Sequence, residues 1–300
     1  MSAGRITEGM LGRRLLTDLR ASTQRIATAQ RHIASGRRLE RPSDDPLGTH
    51  NALRLRSELA GIAQDRRTIS DTRGWLETTD SALATMTDVV HRARELALQG
   101  ANGTLGQAER NKIADEIDQL VEMAKSAANT SYGGRYVFAG QETDTAPYAA
   151  GAGDAYSGDS AAIARQIGPG VAVRVNVTGD QVLGSGGGDG KLLSTLRTLA
   201  ADLRSGNLTG VRGPALTTLQ SNLEDVTSAR GVIGAMTTRL ESAEARLSQV
   251  QQSTVSLLSE TEDTDIAKAM IELTTQQNVY HAALKSGQAL VQPSLLDFLR

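Results

Sequence analysis

Residues 266–291 read IAKAMIELTTQQNVYHAALKSGQALV, and the rhythm of this stretch decides the fold. Ile266, Met270, Leu273, Gln277, Tyr280, Leu284, Gly287 and Val291 recur in steps of four and three. That is a heptad stripe diluted by Gln277 and Gly287. At the opposite end of the chain, Leu11, Leu15, Leu19, Ser22, Ile26, Ala29 and Ile33 follow a similar rhythm. Each terminal helix thus offers one narrow apolar strip and is nearly polar elsewhere. Such a strip is marginal alone, because a lone helix must offset the entropy of ordering its residues. The expectation is that both ends are poorly ordered in a free monomer and pair on assembly.

Further inward the same period continues. Ala229, Ile233, Met236, Leu240, Ala243, Leu247, Val250, Thr254 and Leu257 step by four and three. With a lead-in from Leu216, this helix would span roughly 60 Å at 1.5 Å per residue. Over 47–99, Leu55, Leu59, Ile62, Ile69, Leu76, Leu83, Met86, Val90 and Ala93 hold helical phase. Asp45 before Pro46 predicts an N-cap followed by proline at the first helical position. Gly100, Asn102 and Gly103 end that helix, and the pair Thr104 and Gln107 predicts a capping box opening another, to about Asn129. The stretch 140–190 differs, being rich in Gly, Asp and Ser. Two β-type runs, 161–167 and 171–177, flank Gly168-Pro169-Gly170, and Val171, Val173, Val175 and Val177 alternate as in a half-buried strand. A small β-rich insert is expected there, with a short helix following near 191–204.

Composition supports narrow seams. Hydrophobic residues make up 39% of the 300, yet aromatics only 3%. A wide core usually relies on aromatic bulk. The formal net charge is −2, with 32 basic and 34 acidic side chains and no basic stripe, so neither nucleic acid nor a membrane is an expected partner. There is no Cys, hence no disulfide and no thiolate metal site. Charged residues Arg5, Glu8, Arg13 and Arg14 interrupt any secretory h-region, so a protein of this sequence that leaves the cell is expected to do so by a route that reads no cleaved signal peptide.

No catalytic motif is complete in this sequence. Gly184-Ser185-Gly186-Gly187-Gly188-Asp189-Gly190-Lys191-Leu192 imitates a phosphate loop, but Ser185 stands at the first glycine position and Leu192 where Ser or Thr must hold magnesium. It reads as a flexible linker. His32, His50, His91 and His281 share no ligand spacing, and Asp44-Asp45 before Pro46 suits a helix cap. No catalytic residue, cofactor or metal is expected.

Several blocks are similar to one known family. Ile33-Ala34-Ser35-Gly36-Arg37-Arg38-Leu39, with Pro42-Ser43-Asp44-Asp45-Pro46 behind it, resembles the N-terminal block of the flagellin superfamily. Arg92-Ala93-Arg94-Glu95-Leu96-Ala97-Leu98-Gln99-Gly100-Ala101-Asn102-Gly103-Thr104 resembles a second block, and the stripe ending in Leu295-Leu296-Asp297-Phe298-Leu299-Arg300 the C-terminal helix. Within the superfamily, Pro42-Ser43-Asp44-Asp45-Pro46 and Tyr132-Gly133-Gly134-Arg135-Tyr136-Val137-Phe138-Ala139-Gly140 look like the hook–filament junction family, with a divergent filament flagellin as the alternative. The leader 2–4 before Arg5-Ile6-Thr7 is longer than usual for that family.

The resemblance implies a mainly α, elongated antiparallel bundle or coiled-coil rod with a small β-rich outer domain. It implies five segments: an N-terminal assembly helix over 1–42, rod over 43–139, outer domain over 140–190, returning rod over 191–260 and C-terminal assembly helix over 261–300. It also implies a non-enzymatic, extracellular subunit of the bacterial flagellum. Its implied partners are further copies in a junction layer, an adjacent hook-associated protein, flagellin, and an export chaperone at the C-terminal region. Carried over by position, Ile266, Met270, Leu273, Tyr280, Leu284 and Val291 form the chaperone and assembly face, and Leu15, Leu19, Ile26 and Ile33 the N-terminal strip.

Overall fold

The computed structural model describes residues 8–151, 153–168 and 170–291. The expected end motifs at 5–7 and 295–300, and Pro169 of the predicted turn, lie outside the described residues. In chain order the elements are α1 (Glu8–Ser35), α2 (Pro46–Gly100), α3 (Gln107–Ala128), β1 (Ser131–Tyr132), β2 (Arg135–Tyr136), β3 (Ala164–Gly168), β4 (Val171–Arg174), α4 (Gly179–Val182), α5 (Leu192–Ser205), α6 (Leu208–Gly210), a π-helical turn (Val211–Ala215), α7 (Leu216–Glu262) and α8 (Ile266–Val291). The molecule is mainly α, with two small antiparallel hairpins, β1–β2 and β3–β4. It divides into two compact units, one made of 1–60 with 251–300, the other of 61–250.

The larger unit holds a contiguous apolar core running from Ile62 to Leu247. Its stretch of α2 explains why a helix can serve a wide core. Ile62, Ile69, Leu76, Leu83, Met86, Val90 and Ala93 form one buried stripe, and Trp75, Ala82, Val89 and Leu96 add a second beside it. With two stripes the helix buries a broad face instead of a seam. Against that core α3 contributes Ile117 and Val121, α5 Leu196, Leu199 and Leu203, and α7 Leu219, Val226, Ile233 and Leu240. Helix α3 packs closely on α5. Buried Ala114 and Ala124 keep one surface of α3 shallow, and charge follows along its edge. Arg197 meets Asp118 at 3.0 Å, and Arg204 meets Asp118 at 2.6 Å and Asp115 at 2.8 Å.

The predicted hairpin over 161–177 is present, though shorter: β3 pairs with β4 in antiparallel register with an irregularity between Gln166 and Gly168. Beyond it the stretch 140–190 contains far less strand than the alternation suggested. Side chains take over the pairing. Asn176 accepts from Ile163 N and donates to Ala161 O, both at 2.9 Å, as a neighbouring strand would. Asn129 makes both bonds to the backbone of Tyr148, and the Tyr148 hydroxyl donates to Gly184 O at 2.5 Å. Six of the eight aromatic residues belong to the larger unit. Trp75 and Tyr132 meet edge-on with centroids 6.4 Å apart, and Tyr148 and Tyr156 at 5.6 Å. Burial pushes the hydroxyl pKa of both Tyr148 and Tyr156 up.

Two cap expectations part ways. Asp45 does cap α2, its Oδ1 accepting from Gly48 N at 2.9 Å with Pro46 opening the helix. The capping box at Thr104 does not form. Gly106 stands at the cap of α3, Thr104 bonds Asn102, and Gln107 donates to Leu203 O and Arg204 O at the end of α5. A long-range partner wins over the local one, because those carbonyls at the helix end have no intrahelical donor.

Candidate assembly site

The smaller unit is built around a joint between two helix breaks. Helix α1 ends at Ser35, and Gly36 takes the left-handed conformation at φ +68°, which turns the chain away. Arg38 N then donates to Glu262 O at 2.7 Å, Thr264 N to Gly36 O at 2.9 Å, and the Arg38 guanidinium to Thr261 O at 3.0 Å. Arg56 pairs with Glu262 at 2.7 Å, where the carboxylate side chain is only 8% exposed. The break between α1 and α2 is therefore stitched to the break between α7 and α8. Asp44 adds a local clasp, accepting from Arg41 N at 2.9 Å.

From this joint α1 and α8 run together as a closely packed pair. On α1, Leu15, Leu19, Ile26 and Ile33 are half-buried, with Ser22 and Ala29 buried between them, in the phase expected. On α8 the inward stripe is Ala269, Leu273, Gln276, Tyr280, Ala283 and Gly287. Small residues make the closeness possible. A Cβ built on Gly287 would stand 2.5 Å from Cδ2 of Leu15.

The expected stripe on α8 was thus partly out of phase. Leu273 and Tyr280 face the seam, whereas Ile266, Met270 and Leu284 are 52%, 56% and 38% exposed on the adjacent flank. Val291 ends α8, and its side chain lies outside the described residues. Sequence reading passed over Ala269, Gln276 and Ala283 because a search for bulky apolar residues weights Ile, Met and Leu above Ala. The same slip occurs on α7, where Val250 and Leu257 of the expected stripe are 39% and 49% exposed while Thr254 is buried.

Two polar clusters elsewhere have the composition of catalytic sites, and both are closed on themselves. Lys125, 2% exposed at its side chain, directs its ammonium at Gly151 O, Gly153 O and Asp154, at 2.6, 2.8 and 2.5 Å. Three donors meet three acceptors, leaving none for a substrate. Burial pushes the Asp154 carboxyl up, but hydrogen bonds from Arg197 and Lys125 outweigh it and hold the pKa low. In the glycine-rich loop, Asp189 accepts from Ser185 N, Lys191 N and the Ser194 hydroxyl at 2.8, 2.9 and 2.8 Å. Its own carboxylate takes up these donors, and the loop is held where a flexible linker was expected. Burial raises the Asp189 pKa, and these hydrogen bonds pull it below the usual value. Among the described residues no group of three or more His, Cys, Asp or Glu could hold a metal, and no helix is long and apolar enough to cross a membrane.

Comparison with known proteins identifies the architecture. A model of the bacterial flagellin N-terminal helical region matches residues 7–143, and one of the C-terminal helical region matches 216–299. The chain belongs to the flagellin family. Flagellar hook-associated protein 3 of Escherichia coli is 27% identical over 277 residues, covering 85% of this chain and 86% of that protein. Flagellin of Halalkalibacterium halodurans is 26% identical over 275 residues, covering 91% of each. The crystal structure of Bacillus cereus FlgL superposes with a TM-score of 0.60 at 21% identity, covering 69% of this chain and 99% of that one, which speaks to the fold. As a member of this flagellin-like family, the chain is a structural protein of the flagellum, an extracellular appendage, and assembles into it.

Proposed function

We propose that this chain is the subunit that joins hook to filament, a non-enzymatic adaptor built into the flagellum beneath the flagellin. The observation that carries the reading is where apolar surface is left open. Met10, Leu16, Leu47, Leu53, Val255, Leu257, Ile266, Met270, Ile271, Val279 and Leu284 are large, exposed and all within the smaller unit, whereas the larger one leaves Leu98, Met123, Val232 and Val250. Apolar surface concentrated in this way marks an interaction site. Ile266, Met270 and Leu284 form its open flank, and Leu15, Leu19, Ile26, Ile33, Leu273 and Tyr280 the seam that supports it. The terminal helices at 1–42 and 261–300 bind neighbouring copies, the adjacent hook-associated protein and flagellin. Segments 43–139 and 191–260 form the helical body, and 140–190 faces outward.

Export precedes assembly on this reading. The chain leaves unfolded, without a cleaved signal, with a chaperone covering the α8 strip until α1 replaces it. Electron microscopy of cells lacking the gene, with flagellin assayed in the medium, tests the role. Hooks without filaments and leaked flagellin are expected. Normal hooks with no secreted filament subunit would make this chain the flagellin itself.

A further inference from the structure

The turn between α2 and α3 reads Ala101-Asn102-Gly103-Thr104, and Asn102 alone among the chain's eight asparagines is followed by glycine. An asparagine side chain lies within reach of the backbone nitrogen of the next residue, and a Cβ on that residue hinders the approach. The pair stands just past the end of α2 at Gly100, and both residues are exposed. Two other asparagines show the contrast. Asn129 bonds the Tyr148 backbone with both of its side-chain groups and precedes Thr130. Asn176 is 1% exposed and precedes Val177.

The turn leaves a nucleophile free and holds an electrophile beside it. Its backbone bonds run from Asn102 N to Gln99 O at 3.1 Å and from Leu105 N to Asn102 O at 3.3 Å. Among the described residues no backbone oxygen accepts from Gly103 N. The Asn102 side chain is fixed, its Oδ1 accepting from Thr104 N at 3.1 Å and from the Thr104 hydroxyl at 2.9 Å. This is an Asx turn with a second donor added. Arg212 anchors the same turn, donating through two guanidinium nitrogens to Ala101 O at 2.9 and 2.7 Å. Both Thr104 donors sit on the oxygen that gains negative charge when Asn102 Cγ is attacked, which is where preorganised donors lower a barrier.

We propose that Asn102 is a self-modifying site, converting to aspartate and isoaspartate through attack by Gly103 N on its side-chain amide. The Gly103 N–Asn102 Cγ bond forms as the nitrogen gives its proton to water. The Cγ–Nδ2 bond then breaks, and the nitrogen takes a proton from water and leaves as ammonia. A second water opens the cyclic imide. Attack at Cγ gives aspartate, and attack at the main-chain carbonyl gives isoaspartate, with the chain rerouted through the side chain. The sum is one water consumed and one ammonia released, with no oxidant, metal or enzyme. The product places a carboxylate just past the C-terminal end of α2, where the helix dipole disfavours negative charge. The conversion therefore writes elapsed time into the charge of each subunit, wherever in the flagellum it stands.

Incubation of the purified full-length chain at 37 °C and pH 8, followed by peptide mass spectrometry, tests the proposal. The amide-to-acid mass gain should appear at Asn102 at least about tenfold faster than at Asn129 or Asn176, and as two separable isomers. Gly103→Ala fits the turn, because Gly103 is not left-handed and its Cβ would meet Arg212 no closer than 3.4 Å. That change should slow conversion about tenfold or more with the melting temperature unchanged. Thr104→Val removes the hydroxyl donor, keeps the backbone one and should slow conversion about threefold. An Asn102 that stays an amide, or converts no faster than Asn129, would overturn the proposal. Aspartate without any isoaspartate would overturn it as well, since direct hydrolysis forms no ring. A Thr104→Val chain converting at the wild-type rate would remove the two-donor account of the site.

Discussion

The two units use the same helical alphabet for opposite ends. In the larger, α2 buries two adjacent stripes, and large side chains such as Trp75, Leu83, Phe138 and Tyr148 are fully covered. In the smaller, the α1–α8 seam is centred on Ser22, Ala29, Ala269 and Gly287, with bulkier residues half-buried at its edges. A second stripe on a helix creates a core that closes on itself. A single stripe of small residues brings two helices close and leaves their other apolar side chains facing outward. The difference teaches where stability resides and where association is left to happen.

The comparison predicts its largest effect in the core. Leu83→Ala, at a fully buried site, should lower the unfolding free energy by about 2–5 kcal/mol in urea denaturation. A loss near zero would mean that the two-stripe face is not the support assigned to it. Next comes the polar clasp of the same unit. Lys125→Met leaves Gly153 O without its donor, and Gly151 O and the Asp154 carboxylate with Arg197 alone, and should cost about 1–3 kcal/mol. Asp154 and Asp189 both have folded pKa values below the ordinary carboxylate value of about 3.9. Their stabilisation is thus fully present above the unfolded value and is lost as pH falls through the folded one. Near-ultraviolet circular dichroism of the buried aromatic cluster should therefore weaken below about pH 4, and a signal flat from pH 7 to pH 2 would exclude that linkage.

How much of this was legible beforehand varies with the reach of the interactions. The α1 stripe could be read outright, because its large residues and its seam coincide. Asp45 capping α2 could be read too, since donor and acceptor stand three residues apart. The hairpin of Val171, Val173 and Val175 was likewise visible in its alternation. Gln107 was not, because it satisfies carbonyls nearly a hundred residues away. Nor was most of 140–190, where Asn129, Asn176, Tyr148 and Lys125 pin irregular chain through partners no local pattern announces. On α8 the helix was legible but the phase of its packed stripe was not. Gly287 was seen as a dilution of the stripe when it is the point of closest approach.

That phase can be tested by placing one charge on each side of it. Leu273→Asp puts a carboxylate in the seam and should reduce both the helix content of the terminal pair and association, since a buried unpaired charge must be desolvated or the helices must part. Leu284→Asp, on the open flank, should leave helix content unchanged within error and still block association. A normally motile strain carrying Leu284→Asp would remove the flank from the interface. Equal losses of helix content from both changes would mean that Leu284 belongs to the seam.

The smallest effect is the most discriminating for the seam's geometry. Gly287→Ala gains about 1 kcal/mol of helix propensity, but its methyl would stand 2.5 Å from the end of the Leu15 side chain. Leu15 can rotate away only by losing its half-buried place, so the gain and the loss nearly cancel, and the single change should shift stability by less than about 1 kcal/mol. Cancellation by itself proves nothing. In a Leu15→Ala background the obstruction is absent and the propensity remains, so Gly287→Ala should then stabilise the α1–α8 pair by about 1 kcal/mol. A coupling of that size, measured by thermal melting of the four chains in the cycle, places Gly287 against Leu15. Additive effects would mean that the helices pair in a different register, and the separation of seam from open flank would have to be redrawn around it.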